Sequence, residues 1–302
     1  MSLDTDDLLD IDDLSPAEID RVLDRAAALK AGEDGARLPE QTMGMLFEKP
    51  STRTRISFET GMTQLGGHAI FLGPDDIQLG HGEPLSDTAR VLGRYVDVVM
   101  ARLFDHDDLL TLAEYADVPV VNGLTDAAHP CQTLADLLTI RETFGGFEDV
   151  RAAWIGDGNN VGQSFVLGCA IADIDLTVCT PADYAMDDAV LDRAAALGST
   201  PTVVDRPEDA VADADVLYTD VWVSMGQEDE REQKLSAFRE GGFQVDMDLL
   251  AGTDAKVMHC LPAHRGEEIT DEVMESDRVV VWDQAENRLH AQKGLLVELL
   301  DA

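Results

Sequence analysis

Basic and hydroxyl side chains cluster near residue 50, in a chain that is otherwise strongly acidic. The stretch "FEKPSTRTRISFE" (47–59) holds three basic and three hydroxyl residues within seven positions, namely Lys49, Ser51, Thr52, Arg53, Thr54 and Arg55. Arginine and lysine supply charge, and hydroxyls add hydrogen bonds, so this combination suits phosphate and other anions. The whole chain has 60 Asp and Glu against 22 Lys and Arg, a formal net charge of −38. So local an excess of basic residues therefore indicates an anion site.

The position of this cluster along the chain favours the same chemistry. It follows a predicted strand and opens a predicted helix, with Ser51 as a suitable N-cap residue. The first backbone N–H groups of a helix have no intrahelical partner and readily bind phosphate. The segment is not a P-loop, because it contains no GxxxxGK[ST] pattern. The alternative is a capped helix with two surface arginines.

Further polar or reactive residues follow predicted strands, namely Arg102, His129, Asn160, Asp220, Cys260 and Arg288. Ligands of open α/β sheets bind at the carboxyl ends of the strands, so we expect these side chains to serve a ligand rather than packing. The Asp220 carboxylate suits an ammonium group. The following "SMG" (224–226) has two interpretations, an ordinary turn or a loop that closes over a ligand. Cys260 offers a thiol and a backbone carbonyl.

Two familiar interpretations of these motifs fit poorly. "GDGNNVG" (156–162) has Val161 where a dinucleotide-binding GxGxxG needs glycine, and the next predicted strand ends without the acid that holds a ribose. His259, Cys260 and His264 have a spacing that suits neither a helix face nor the usual zinc pairs. The sequence therefore predicts no cofactor and no metal. A nucleic-acid partner is equally unexpected, since phosphates need a basic surface.

Short apolar runs alternate with helical patterns along the chain, which predicts an α/β fold of two doubly wound parallel sheets with helices on both faces. The predicted strands are 42–47, 68–72, 96–102, 118–123, 151–157, 176–180, 201–205, 215–220, 256–261 and 278–282. The predicted helices include 16–30, which opens with a Ser15–Glu18 capping box, and 51–65, 86–95, 107–116, 131–144 and 285–300.

A domain junction is predicted near Gly145–Asp149, after a helix that ends at Gly145-Gly146. The first domain would comprise residues 1–146 together with a returning C-terminal helix, 285–302. The second would comprise residues 147–284.

Composition narrows the class of protein further. No apolar run approaches the ~20 residues of a transmembrane helix, and the acidic start does not have a signal-peptide layout. We therefore expect a soluble cytoplasmic protein. Its four scattered cysteines are expected to be reduced thiols. So large an acidic excess repels itself unless salt screens it, which favours a high-salt cytoplasm.

Taken together, the motifs resemble the aspartate/ornithine carbamoyltransferase family. "FEKPSTRTR" (47–55) and "HPCQTLAD" (129–136) are similar to the family's shared carbamoyl phosphate site. "DVWVSMG" (220–226) and "HCLPAHRG" (259–266) are similar to its ornithine branch, and "AENRLH" (285–290) completes the order. The resemblance covers nearly the whole chain. It implies the transfer of a carbamoyl group from carbamoyl phosphate to L-ornithine, which yields L-citrulline and phosphate.

The resemblance also implies roles for individual residues. The carbamoyl phosphate ligands would be Ser51, Thr52, Arg53, Thr54, Gln78, Arg102, His129, Gln132, Arg288 and the backbone carbonyls of Cys260 and Leu261. Of these, Thr54, Arg102 and His129 would stabilise the developing oxyanion, and Gln132 and the two carbonyls would hold the carbamoyl NH2. Ornithine would bind at Asn160, Asp220, Ser224 and Met225, with Asp220 and Cys260 orienting its reactive amine.

The family is assembled from trimers, and a loop of the neighbouring subunit completes each site. Here "DIQLGHGEP" (76–84) occupies the place of that loop, with Gln78 as its contributor. The resemblance thus implies a homo-oligomer, a trimer or a multiple of trimers. It also implies two domains that close over the reactants. The same site would serve arginine biosynthesis or, in reverse, the breakdown of citrulline.

Three other functions compete with this interpretation. The first is carbamoyl transfer to another amine, such as putrescine or an N-acylated ornithine, although "SMG" after "DVWV" favours free ornithine. The second is a nicotinamide-dependent oxidoreductase, which the incomplete glycine pattern disfavours. The third is a non-catalytic protein with the same fold, which the intact motifs disfavour.

Overall fold

The computed structural model describes residues 3–74 and 82–300. The chain divides into two compact units. Unit 1 comprises Met1–Leu138 and Glu286–Ala302, and unit 2 comprises Thr139–Ala285.

Unit 1 is built around a parallel sheet in the order β2-β1-β3-β4. Its elements are α1 (Pro16–Ala31), β1 (Thr42–Phe47), α2 (Thr52–Leu65), β2 (His68–Leu72), α3 (Leu85–Leu92), β3 (Val98–Arg102), α4 (His106–Tyr115), β4 (Val120–Leu124) and α5 (Pro130–Phe144). Leu8 forms a parallel bridge to Val121, and the Leu8 backbone N–H donates to the Val120 carbonyl at 2.9 Å. The N-terminal segment therefore covers the free edge of β4.

Unit 2 contains a five-stranded parallel sheet in the order β7-β6-β5-β8-β9. Its elements are β5 (Arg151–Ile155), α6 (Asn160–Ile171), β6 (Asp175–Cys179), α7 (Asp188–Leu197), β7 (Thr202–Val204), α8 (Pro207–Val211), β8 (Val216–Tyr218), α9 (Arg231–Glu240), β9 (Lys256–Met258) and α10 (Asp271–Met274), followed by α11 (Val281–Leu299), which continues into unit 1. The predicted α/β class with two parallel sheets is confirmed.

The C-terminal helix returns to the helices of unit 1, as predicted. Arg21 and Arg25 of α1 form ion pairs with Glu298, at 3.1 and 2.9 Å. Gly294 permits the close packing of α11 on α1, because a Cβ atom at that position would lie 2.5 Å from the Val22 carbonyl oxygen. The local signals at the start of α1 are also confirmed, since Ser15 and Glu18 form the capping box around Pro16.

One predicted strand, 278–282, is wrong. Val279 forms only an isolated bridge to Val257, and helix α11 already begins at Val281. The run "RVVVW" is rich in β-branched residues, which favour strands only weakly when tertiary packing favours another conformation. Here Val281 is fully buried as part of the helix while Trp282 is 57% exposed.

Candidate active site

The N-terminus of α2 places the basic and hydroxyl cluster at the end of β1. Ser51 is the N-cap residue, and its Oγ accepts a hydrogen bond from the Thr54 backbone N–H at 3.3 Å. The Ser51 hydroxyl also contacts the Thr54 hydroxyl, with 3.0 Å between the oxygens. Thr52 and Arg53 occupy the first turn, where helix N–H groups are available to an anion. Lys49 is instead buried and forms an ion pair with Asp126. Its charge is therefore partly neutralised and contributes less to an anion site than the charge of Arg53.

Arg288 of α11 joins this helix end to α5. One guanidinium nitrogen donates to the Thr54 hydroxyl at 3.3 Å, and another donates to the Gln132 Oε1 at 2.6 Å. The Gln132 amide nitrogen donates in turn to Asp136, at 2.7 Å. All four side chains are buried. An arginine can only donate and a carboxylate here accepts, so the two neighbours fix the direction of the Gln132 amide.

Arg102 and His129 complete the group of predicted residues in unit 1. Arg102 ends β3, His129 directly precedes α5, and both are buried. Burial lowers the pKa of His129 well below its usual value, and the positive charges of Arg288, Arg102 and Arg53 lower it further. The positive charges of three arginines therefore act on a neutral imidazole, a combination that suits a negatively charged ligand.

The depressed pKa of His129 gives stability a pH dependence with a definite sign. Below about pH 6.5 the unfolded state binds a proton at His129 that the folded state does not, so the free energy of unfolding falls as the pH is lowered through that range. We expect His129→Gln to remove part of this fall when urea unfolding is compared at pH 7.5 and 5.5. His68→Gln, at an exposed position of β2, is the control. Equal pH dependence in both variants would contradict the burial of a neutral His129.

In unit 2 the Asp220 carboxylate lies just beyond β8 and is held from both sides. The Cys260 thiol donates to Oδ1 at 2.9 Å, and the Asn159 side-chain nitrogen donates to Oδ2 at 3.0 Å. Asn159 is also the N-cap of α6, since its Oδ1 accepts from the backbone N–H groups of Val161 and Gly162, both at 3.0 Å. Asn160, the residue predicted from the sequence, is the first residue of α6, whereas the contact with Asp220 is made by Asn159, which was not predicted.

The segment 259–268 positions Cys260 and Leu261 through a buried histidine. His259 Nδ1 accepts from the Leu261 backbone N–H at 2.9 Å, so its Nε2 carries the proton and donates to Glu268 at 3.1 Å. Leu261 has a positive φ of 61°, a conformation that this contact supports. His259 and Glu268 were not predicted as positioning residues. The place of His259 directly after β9 was the available signal.

The segment 259–268 contains side chains of the types that bind metals. The ligand atoms of Asp220, His259 and Cys260 lie within 4.8 Å of one another, and those of His264, Glu267 and Glu268 form a second such group. The hydrogen bonds of Cys260 to Asp220 and of Leu261 to His259 Nδ1 account for the first arrangement. Of the three residues considered for zinc in the sequence, His259 and Cys260 belong to the first group and His264 belongs to the second.

Two further predicted residues, Ser224 and Met225, lie in the loop after β8. Ser224 and Met225 follow Asp220 in the turn of "SMG", where Met225 is 48% exposed and Gly226 has a φ of 95°. Gln78 lies outside the described residues. Cys131, Cys169, Cys179 and Cys260 are thiols that take part in no disulfide. Among residues 3–74 and 82–300, none of the helices has the length and low polarity that spanning a membrane requires.

Comparison with known proteins decides the family. The model of the aspartate/ornithine carbamoyltransferase carbamoyl-P binding domain matches residues 6–142, and that of the Asp/Orn binding domain matches residues 148–299. The chain belongs to the aspartate/ornithine carbamoyltransferase family. The resemblance inferred from the sequence motifs is thereby confirmed.

Individual carbamoyltransferases of this family match over nearly their full lengths. The ornithine carbamoyltransferase of Haloquadratum walsbyi is 74% identical over 97% of this chain and 97% of that protein. The solved ornithine carbamoyltransferase of Pyrococcus furiosus is 48% identical with a TM-score of 0.93, covering 100% of this chain and 99% of that one. That of Gloeobacter violaceus is 46% identical with a TM-score of 0.89, covering 98% and 99%.

Proposed function

We propose that this carbamoyltransferase transfers the carbamoyl group of carbamoyl phosphate to L-ornithine, giving L-citrulline and phosphate. The observation that carries the choice of acceptor is the buried Asp220 carboxylate, held by Cys260 and Asn159 in the motif that resembles the ornithine branch. A buried carboxylate with lone pairs to spare is suited to a cationic amino acid. The high identity to relatives named ornithine carbamoyltransferase supports the same acceptor.

Unit 1 binds carbamoyl phosphate in this proposal. Residues 51–54 cradle the phosphate with helix N–H groups, hydroxyls and the Arg53 guanidinium. Arg288 adds charge, while Arg102, the neutral His129 and Thr54 donate to the carbonyl oxygen as it becomes negative. Gln132 accepts from the carbamoyl NH2, a role that matches the direction in which Arg288 and Asp136 hold its amide. The carbonyls of Cys260 and Leu261 accept from the same NH2.

Unit 2 binds ornithine through Asn160, Asp220, Ser224 and Met225. The side-chain amine must be neutral to attack the carbamoyl carbon. Because the Cys260 thiol donates to Asp220, the carboxylate rather than the thiol is the acceptor that orients the amine. Attack gives a tetrahedral intermediate, and its collapse breaks the carbon–oxygen bond and expels phosphate, which takes up the proton that the attacking amine loses. Alignment of the two substrates and preorganised charge supply the rate enhancement, with no cofactor or metal in the proposed steps.

The test is the formation of citrulline by purified protein from carbamoyl phosphate and ornithine, in molar KCl and in dilute buffer. The acidic surface leads us to expect turnover that requires high salt, because screening removes the self-repulsion of 60 acidic side chains. This requirement and a cytoplasmic location are parts of the proposal. Folded protein that forms no citrulline at any salt concentration would contradict the proposed activity, and full activity in dilute buffer would contradict only the salt requirement.

We further propose a trimer, or a multiple of trimers, in which Gln78 of a neighbouring subunit contributes to the carbamoyl phosphate site. Gln78→Ala should then raise KM for carbamoyl phosphate about tenfold, the scale of one hydrogen bond to a charged ligand, while the oligomer stays intact. Steady-state kinetics and light scattering measure the two effects. Gln41→Ala, at a half-buried position before β1, is the control. Unchanged kinetics in the Gln78 variant would remove that residue from the site.

A further inference from the structure

A buried lysine, Lys234 of α9, lies between the two loops that carry the proposed ornithine-binding residues. Its side chain is only 3% exposed, and its Nζ donates to Asp157 Oδ2 at 2.6 Å and to Gln227 Oε1 at 2.9 Å. Lys234 also lies over the Tyr184 ring, 4.9 Å from its centroid. A lysine is rarely buried unless it is paired, so Lys234 does not serve solubility as a surface lysine does, and its two partners indicate its role.

The first partner, Asp157, belongs to the loop between β5 and α6. The same loop carries Asn159, whose side chain holds the Asp220 carboxylate. Burial raises the pKa of Asp157, and the hydrogen bond and charge of Lys234 oppose that rise. Lys234 therefore holds the Asp157 side chain in the same loop from which Asn159 donates to Asp220.

The second partner, Gln227, belongs to the loop after β8. Its Oε1 accepts from Lys234 and also from the Ser224 backbone N–H at 3.2 Å, while its own backbone N–H donates to the Ser224 carbonyl at 3.1 Å. These bonds close the turn that presents Ser224 and Met225. Lys234 thus connects the turn of "SMG" to the loop that supports Asp220.

Aromatic packing fixes the helix from which Lys234 projects. Phe238, one turn further along α9, stacks on Trp222 with ring centroids 5.1 Å apart and on Tyr184 with centroids 5.5 Å apart. Trp222 belongs to the same "DVWVSMG" segment and is fully buried. Because this packing holds α9 in place, the Lys234 ammonium group has a defined position beside both loops.

We infer that Lys234 is a positioning residue for the amino-acid acceptor: its ammonium group joins Asp157 to Gln227 and so sets the geometry of Asp220, Ser224 and Met225. This inference rests on the proposed function, because it assigns those three residues to ornithine. It does not involve the carbamoyl phosphate ligands of unit 1. Loss of Lys234 should consequently affect one substrate and spare the other.

The experiment compares Lys234→Met with wild-type protein, using citrulline formation for ornithine and calorimetric binding of inorganic phosphate for unit 1. We expect KM for ornithine to rise at least about tenfold, the scale of one charged hydrogen bond, while Kd for phosphate changes less than about twofold. Lys234→Arg retains the charge and should recover most of the loss. Lys256→Met, a lysine at the start of β9 that donates to the Asp277 carbonyl, is the matched control and should resemble wild type.

Gln227→Leu breaks the second contact without leaving a buried charge unpaired, so it tests the inference even if Lys234→Met fails to fold. It too should raise KM for ornithine and leave phosphate binding unchanged. Wild-type KM for ornithine in every variant that folds, or an equal loss of phosphate binding, would overturn the positioning role alone. Absence of citrulline formation by wild-type protein would overturn the proposed function and this inference with it.

Discussion

Replacing Asp220 by asparagine is expected to lower kcat/KM for ornithine about a hundredfold or more, which is the usual cost of removing one partner of a buried charged pair. The substitution preserves shape but removes the negative charge that would hold a cationic substrate. It also places an amide where the Cys260 thiol and the Asn159 amide now donate. Steady-state citrulline formation measures the effect.

Phosphate binding distinguishes this specific loss from general damage. Inorganic phosphate should bind the Asp220→Asn protein as it binds wild type, because the residues proposed for phosphate all belong to unit 1. Asp175→Asn, at the exposed start of β6, removes the same charge elsewhere in unit 2 and should be neutral. Ornithine kinetics near those of wild type in Asp220→Asn would refute the assignment of the acceptor site.

The Arg53→Ala variant should lose about 2 kcal/mol or more of transition-state stabilisation, roughly thirtyfold in kcat/KM for carbamoyl phosphate. Arg53 lies in the first turn of α2 and is one of the three arginines whose charge reaches His129. Its loss removes a charged donor from a site that is otherwise preorganised. Kinetics with carbamoyl phosphate as the varied substrate measure this effect. Calorimetry with inorganic phosphate tests whether the loss arises from weaker phosphate binding.

A matched control comes from an arginine outside the site. Arg206 is exposed, pairs with Glu208 at 3.3 Å and precedes α8 in unit 2. Arg206→Ala makes the same change in net charge and should leave both measurements unaltered. If Arg53→Ala were as active as Arg206→Ala, the phosphate cradle at residues 51–54 would be wrong.

The parts of the fold that could be predicted from sequence are those set by local signals. The strands at 42–47 and 68–72 are bounded by turn and helix signals on both sides, and the structure has them at those residues. The capping box, which comprises only the four residues from Ser15 to Glu18, determines where α1 starts. The strand predicted at 278–282 failed, because its β-branched residues become part of a helix that packs in the core.

The contacts that define the site are long-range, and sequence patterns do not reveal them. Arg288 reaches Gln132 across 156 residues and Thr54 across 234. The sequence motifs predict each of these residues separately, and only the folded structure gives their hydrogen-bond partners. Asn159 and Asn160 differ by one position, and the turn at the start of α6 decides which of them contacts Asp220. Lys234 was missed because a charged residue in a polar helix usually faces solvent.

The most direct test of the central claim is a comparison of amine acceptors in molar KCl. Citrulline or its analogue would be measured with carbamoyl phosphate and, in turn, ornithine, putrescine and N-acetylornithine. We predict that kcat/KM for ornithine exceeds that for either alternative by at least about a hundredfold, because ornithine is the only one of the three with both a free α-amino group and a carboxylate. Preference for putrescine or N-acetylornithine would contradict the assignment of Asp220 to Met225 as an ornithine site.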